Sequence, residues 1–99
     1  MPVMEIKVFP LGTDSTSVSG YVAGAMRVVM ESGLPYELTP MGTVVEGETD
    51  ELLELAREIH EAPFEAGARR VVTIIELDDR RDKPSTMRSK VKSVEQRLA

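Results

Sequence analysis

The 99-residue chain contains no cysteine. That removes disulfides, thiolate metal sites and cysteine nucleophiles together. Its single histidine, His60, has no second histidine to pair with, so imidazole metal ligation and a Ser-His-Asp arrangement find no support; none of the serines sits in a GxSxG elbow. Aromatics make up 4% of the residues, and only Phe9 and Tyr36 fall in strand-like segments. A sheet that stacks RNA bases needs more of them. Basic charge is also short: 12 Lys and Arg stand against 17 Asp and Glu, a net charge of −5. Polyanions such as nucleic acid are therefore disfavoured, and a small cation is electrostatically welcome. There is no GxxxxGK[ST] phosphate loop and no EF-hand spacing. No apolar run approaches a membrane span, and the N-terminus lacks a basic-then-apolar leader, so the expectation is a cytoplasmic protein with no membrane partner.

What is present is ordinary globular material, 41% hydrophobic and 29% charged, in a length that suits one domain over residues 1–99. The stretch Leu34 to Gly47 organises the rest. Leu34, Tyr36 and Leu38 alternate as a half-buried strand does, Thr39-Pro40-Met41-Gly42 breaks the run, and Thr43 to Glu46 resumes it before Gly47. The pattern predicts a β-hairpin.

Before it, Val3 to Phe9 reads as a strand with Met4, Ile6 and Val8 on one face. Ser17 suits the cap of a helix that runs to about Glu31 with Val18, Tyr21, Val22, Ala25, Val28 and Val29 as its buried stripe. Gly24 within it suggests close packing on a sheet, and Gly33 a left-handed stop. After the hairpin, Thr49 or Asp50 is the expected cap of a second helix. Its stripe is Leu52, Leu55, Ala56, Ile59 and Ala62, it should kink or loosen near His60 because of Pro63, and it ends at Gly67. Eight carboxylates lie between Glu46 and Glu65 against one arginine, read as a solvated helix face. Arg70 to Leu77 forms the last strand, apolar on both faces, with Val71, Ile75 and Leu77 on one and Val72 and Ile74 on the other. Two helices cover one side of a small sheet, so the other side calls for a second copy of the chain. The Asp78–Lys83 run reads as surface ion pairs. Beyond it, Ser85 or Thr86 caps a third helix with a narrow seam of Met87, Val91, Val94 and Leu98, suited to an edge or a subunit interface. The order β-α-β-β-α-β plus a helix is the α+β, ferredoxin-like plan: a four-stranded antiparallel sheet under two helices, with a C-terminal helix added.

Chemistry is concentrated in the hairpin. Tyr36 suits stacking on a flat ring, Glu37 or Glu46 a cation or amino group, Thr39 and Thr43 hydrogen bonds to ring nitrogens, and Met41 a soft apolar lid. By spacing alone the preferred reading is the plainer one, in which Tyr36 and Met41 are core and the two glutamates solvated strand residues, because such residues are common in hairpins. A hydroxyl-rich loop holding Thr13, Ser15, Ser17 and Ser19 suits an anion such as phosphate or sulfate at a helix start, although plain capping by Ser17 is the preferred reading.

Three segments carry a resemblance. PLGT at Pro10–Thr13, SVSGYVA at Ser17–Ala23 and above all YELTPMGTVVEG at Tyr36–Gly47 resemble a small ferredoxin-like family, long uncharacterised and now described as thiamine-binding; DDRRDK at Asp78–Lys83 with KVKSVE at Lys90–Glu95 is similar too. The resemblance implies a homodimer or homotetramer and a non-enzymatic role. The implied ligand is thiamine or its hydroxymethylpyrimidine moiety, a ligand rather than a cofactor, held near the hairpin at a subunit interface by Tyr36, Glu37, Thr39, Met41 and Thr43. The alternative is a regulatory or structural homo-oligomer with an interfacial anion; an enzyme of thiamine metabolism stands third, having no acid–base pair or nucleophile to carry it.

Overall fold

The computed structural model describes residues 1–12, 19–83 and 86–99. The proposed caps Ser17 and Ser85, Val18, and the Thr13 and Ser15 part of the anion loop lie outside these residues, as does the side chain of Ser19. In chain order the elements are β1 (Val3–Pro10), α1 (Ser19–Ser32), β2 (Tyr36–Thr39), β3 (Gly42–Glu46), α2 (Thr49–Glu65), β4 (Val71–Asp78) and α3 (Met87–Leu98). The strands form one antiparallel sheet in the order β2-β3-β1-β4. This is the expected ferredoxin-like plan with its added C-terminal helix.

Register decides which residues look onto the helices. Met4 lies opposite Val45 and Leu77, and Ile6 opposite Thr43 and Ile75. Tyr36 and Leu38 continue those rows on β2. Met4, Ile6 and Val45 are buried, and with Ala25 and Val29 of α1 and Leu52, Leu55, Ala56 and Ile59 of α2 they make the core. Ala25 and Val29 of the first stripe, with Val28 packed beside them, and Leu52, Leu55, Ala56 and Ile59 of the second thus follow the spacing in the sequence; Val22 stays exposed, and Tyr21 and Ala62 are only partly buried, outside that cluster.

Two local details differ from expectation, the role of Gly24 and the cap of the second helix. Gly24 does not mediate close packing: a Cβ placed there would meet nothing within 4 Å. The backbone of α1 runs along α2 and stands farther from the sheet than α2 does. The second helix is capped one residue early, at Glu48, whose N–H donates to the Glu51 side chain at 3.0 Å; Glu51 three residues on is the acidic half of a capping box. Pro63 lies inside that helix, which continues past it to Glu65. It is fully buried two residues before the last helical position, and the chain then stops in a Schellman arrangement: Ala68 N–H donates to Pro63 O at 2.9 Å and Gly67 N–H to Phe64 O at 3.0 Å, with Gly67 at φ +101. His60 ties α2 to β4: its Nδ1 lies 2.7 Å from Thr73 Oγ1 and its ring meets Phe64 edge-on.

The charged loop forms exposed pairs, Arg80 with Asp82 and Arg81 with Asp79, while Lys90 reaches back to Asp78. The Arg80 guanidinium holds the Asp82 carboxyl down at about 2, from an ordinary 3.8. A depressed acid stabilises the fold above its unfolded pKa and loses that effect as pH falls through its folded one, so this contribution fades only below about pH 4. Arg80→Gln should return the Asp82 titration, followed by carboxyl carbon shifts, toward the ordinary range, and leave the thermal midpoint at pH 7 within about 2 °C, because exposed pairs contribute little. A larger fall would mean the loop is packed against something.

Helix α3 is well begun and poorly covered. Thr86 accepts from Ser89 N–H at 3.0 Å and its own N–H donates to Ser89 Oγ at 2.8 Å, a reciprocal cap. Met87 is buried, but Val91, Val94 and Leu98 are 52%, 57% and 81% exposed.

Candidate functional site

The hairpin turn has two central residues, Pro40 and Met41, between Thr39 and Gly42. Neither takes a left-handed backbone, so the turn is not the primed kind that tight hairpins favour. The Thr39 hydroxyl holds it instead. It accepts from Met41 N–H and Gly42 N–H, each at 3.2 Å, and donates to Gly42 O at 2.8 Å. Beside the turn, Gly42 crosses close to β1: a Cβ there would lie 3.1 Å from Ile6 O.

Under this turn a cavity of about 210 Å³ opens toward α1. Leu38 to Thr43 form one wall, Ile6 to Phe9 of β1 a second, and Val22, Ala25, Met26 and Val29 of α1 a third, with Ile59 at the back. The cavity exists because α1 stands off the sheet and because β3 ends at Gly42 while β1 continues to Pro10. Its wall is mostly apolar. Thr43 projects from the helix-facing side of the sheet, and among the described residues its hydroxyl donates only to a thioether, Met26 Sδ, at 3.4 Å. Sulfur is a weak acceptor, so a ligand nitrogen or oxygen displaces it at little loss. The one charged residue among the described lining residues is Lys7, whose Nζ lies 3.3 Å from Glu5 Oε1.

The sequence candidates separate accordingly. Thr39, Met41 and Thr43 line the cavity. Met41 is 72% exposed at its rim, which fits a lid and not a core side chain. Tyr36 is half-exposed and shares the helix-facing side of the sheet but does not line the cavity. Glu37 lies on the opposite side, in a row with Val44, Glu5 and Glu76. Glu46 lies in the next row with Val3 and Asp78. Thr13, Ser15 and Ser17 are outside the described residues. Sequence reasoning missed Val8 and Met26. Met26 falls one turn beyond Val22 on α1, an i, i+4 relation that carries the only available signal.

Residues 4–95 match the family described as thiamine-binding protein. The chain belongs to that family. It is 43% identical to the UPF0045 protein YqgV of Bacillus subtilis over 102 aligned positions, covering 99% of this chain and 98% of the relative. It is 44% identical to the UPF0045 protein of Methanothermobacter thermautotrophicus, covering 99% of this chain and 100% of that one. Among solved structures, a hypothetical protein of Methanocaldococcus jannaschii superposes with a TM-score of 0.87 at 37% identity, covering 96% of both chains. A Thermotoga maritima protein, provisionally named for thiamine biosynthesis or salvage, does so with a TM-score of 0.78 at 26% identity over 94% of this chain and 97% of its own. The thiamine-binding family fold therefore extends over essentially the whole chain. Among the described residues, no helix is long and apolar enough to cross a membrane.

Proposed function

We propose that this family member is a non-enzymatic binder of the hydroxymethylpyrimidine end of thiamine, or of the free pyrimidine, in the cavity beneath the Thr39–Gly42 turn. The observation that carries the reading is an apolar cavity whose wall holds a hydroxyl, that of Thr43, bonded only to sulfur. Size favours the ring over the whole vitamin. At about 210 Å³ the space is smaller than the roughly 300–1,000 Å³ of pockets that enclose drug-sized ligands. The thiazolium then lies at the mouth, past Met41. Glu37 faces away from this cavity, so within one protomer it serves as no counter-ion there. The family name and the provisional name of the Thermotoga relative point to the same ligand class.

Self-association belongs to the proposal. The sheet face away from the helices carries Phe9, Val72 and Ile74 at 40%, 38% and 49% exposure, and α3 carries its uncovered seam. A second copy of the chain buries both, and the cavity mouth then lies near a subunit boundary. Calorimetric titration of thiamine and of 4-amino-5-hydroxymethyl-2-methylpyrimidine into the purified protein tests the ligand. The expected result is a dissociation constant near micromolar, about −8 kcal/mol, with Thr43→Val binding about tenfold more weakly. A folded, ligand-free protein that gives no heat with either compound removes the ligand reading and leaves the family fold standing.

A further inference from the structure

β1 has β4 beside it along all eight residues, Val3 to Pro10, but β3 beside it only from Val3 to Ile6. In an antiparallel strand each residue directs its N–H and C=O to the same neighbour, and successive residues alternate. The alternation here is fixed at both ends of the strand. Pro2 O accepts from Gly47 N–H at 3.2 Å, on the β3 side, and Leu11 N–H donates to Arg70 O at 2.9 Å, on the β4 side. Even-numbered residues therefore face β3. Met4 and Ile6 find Val45 and Thr43 there. Val8 faces the same way, but β3 has already turned off at Gly42, and among the described residues no strand takes its place. Val8 lines the cavity. Pro10, the next residue of this parity, has no N–H to leave unpaired, which is the position where a strand tolerates proline.

We infer that the main-chain N–H and C=O of Val8 form the hydrogen-bonding edge that recognises the ligand, and that they select an aminopyrimidine. An exocyclic amine beside a ring nitrogen presents a donor and an acceptor side by side, the complement of what one strand residue offers. The ring docks in the plane of the sheet, where the next residue of β3 would have paired, with Thr43 at its side. This deepens the binding reading and rests on it. It also explains how a wall of mostly apolar side chains distinguishes a polar ring from a hydrocarbon: the specifying groups belong to the backbone, and an unpaired buried donor or acceptor penalises any ring that cannot match it.

The test uses the full chain, labelled with nitrogen-15, and three probes: 4-amino-5-hydroxymethyl-2-methylpyrimidine and its 4-deamino and 4-dimethylamino analogues. The amino compound should move the Val8 amide proton downfield, among the largest shifts in the spectrum. The deamino analogue should bind about tenfold more weakly, and the dimethylamino analogue, blocked at the edge, more weakly still. If the amino compound binds while the Val8 amide stays in place, or if all three bind equally, the inference is overturned; a loss of affinity in Thr43→Val would then show that the cavity reading survives without it. If none of the three binds, both fall together.

Discussion

Leu52→Ala is expected to lower stability by about 3 kcal/mol, within the range of roughly 2–5 kcal/mol for emptying a buried leucine site. Leu52 has no exposed surface and sits at the first turn of α2, in the cluster formed with Met4, Val45 and Val29. The surrounding backbone has little freedom to close over the gap. Nearby Gly47 is itself buried, and a Cβ on it would already lie 3.4 Å from Leu52 Cδ2 and 3.2 Å from Leu34 Cδ1. Domains of this size shift their midpoint by about 4–8 °C per kcal/mol, so a fall of about 12–24 °C should appear in a thermal melt. Parent and variant must be compared at one protein concentration, because the proposed self-association would stabilise the folded state by mass action. A fall under about 5 °C would show that α2 is not anchored where its stripe suggests.

The second large effect concerns assembly. Ile74→Asp should convert the proposed oligomer to a monomer while leaving the helical and sheet content unchanged. Ile74 lies on the face away from the helices, directly opposite Lys7, with Val72 opposite Phe9 in the adjacent row. The two ends of that face differ in character. Phe9, Val72 and Ile74 form an apolar half, whereas Glu5, Glu37, Glu76, Glu46 and Asp78 crowd the other. Two such faces stacked in full register would oppose carboxylate to carboxylate. A two-fold axis through the apolar half avoids this and lets the acidic halves diverge into solvent. An aspartate at the centre of that contact would have to shed its hydration, and Lys7, the cation directly opposite, is already paired with Glu5, so the penalty is several kcal/mol per subunit. Light scattering gives the mass, and far-ultraviolet circular dichroism checks the fold. A variant that keeps the parental mass would place the interface elsewhere, with the α3 seam the next surface to alter.

Much of this architecture can be read from residue order. Alternation on β1, the Pro40 to Gly42 punctuation, the two helical stripes and the positive-φ stops at Gly33 and Gly67 each specify a local structure that tertiary packing leaves in place. The site was less legible. Alternation shows that Tyr36 and Glu37 point opposite ways, but only pairing with β1 reveals which of them faces the helices. The cavity itself has no spelling in the chain. It arises from a difference in strand length, five residues in β3 against eight in β1, together with a helix that stands off the sheet. Val8 looks like any core valine in the sequence, and what distinguishes it is the missing neighbour. Pro63 carries a similar limit. Its effect on a helix depends on how near the helix end it falls, and here the Schellman stop follows at once.

That difference in strand length carries a consequence for diversification within such a scaffold. Two more residues on each arm of the hairpin would carry β3 along β1 as far as Val8, pair its main chain and fill the opening with backbone. Insertion or deletion at a surface turn, where chains tolerate it best, would thus open or seal this cavity without altering one buried side chain.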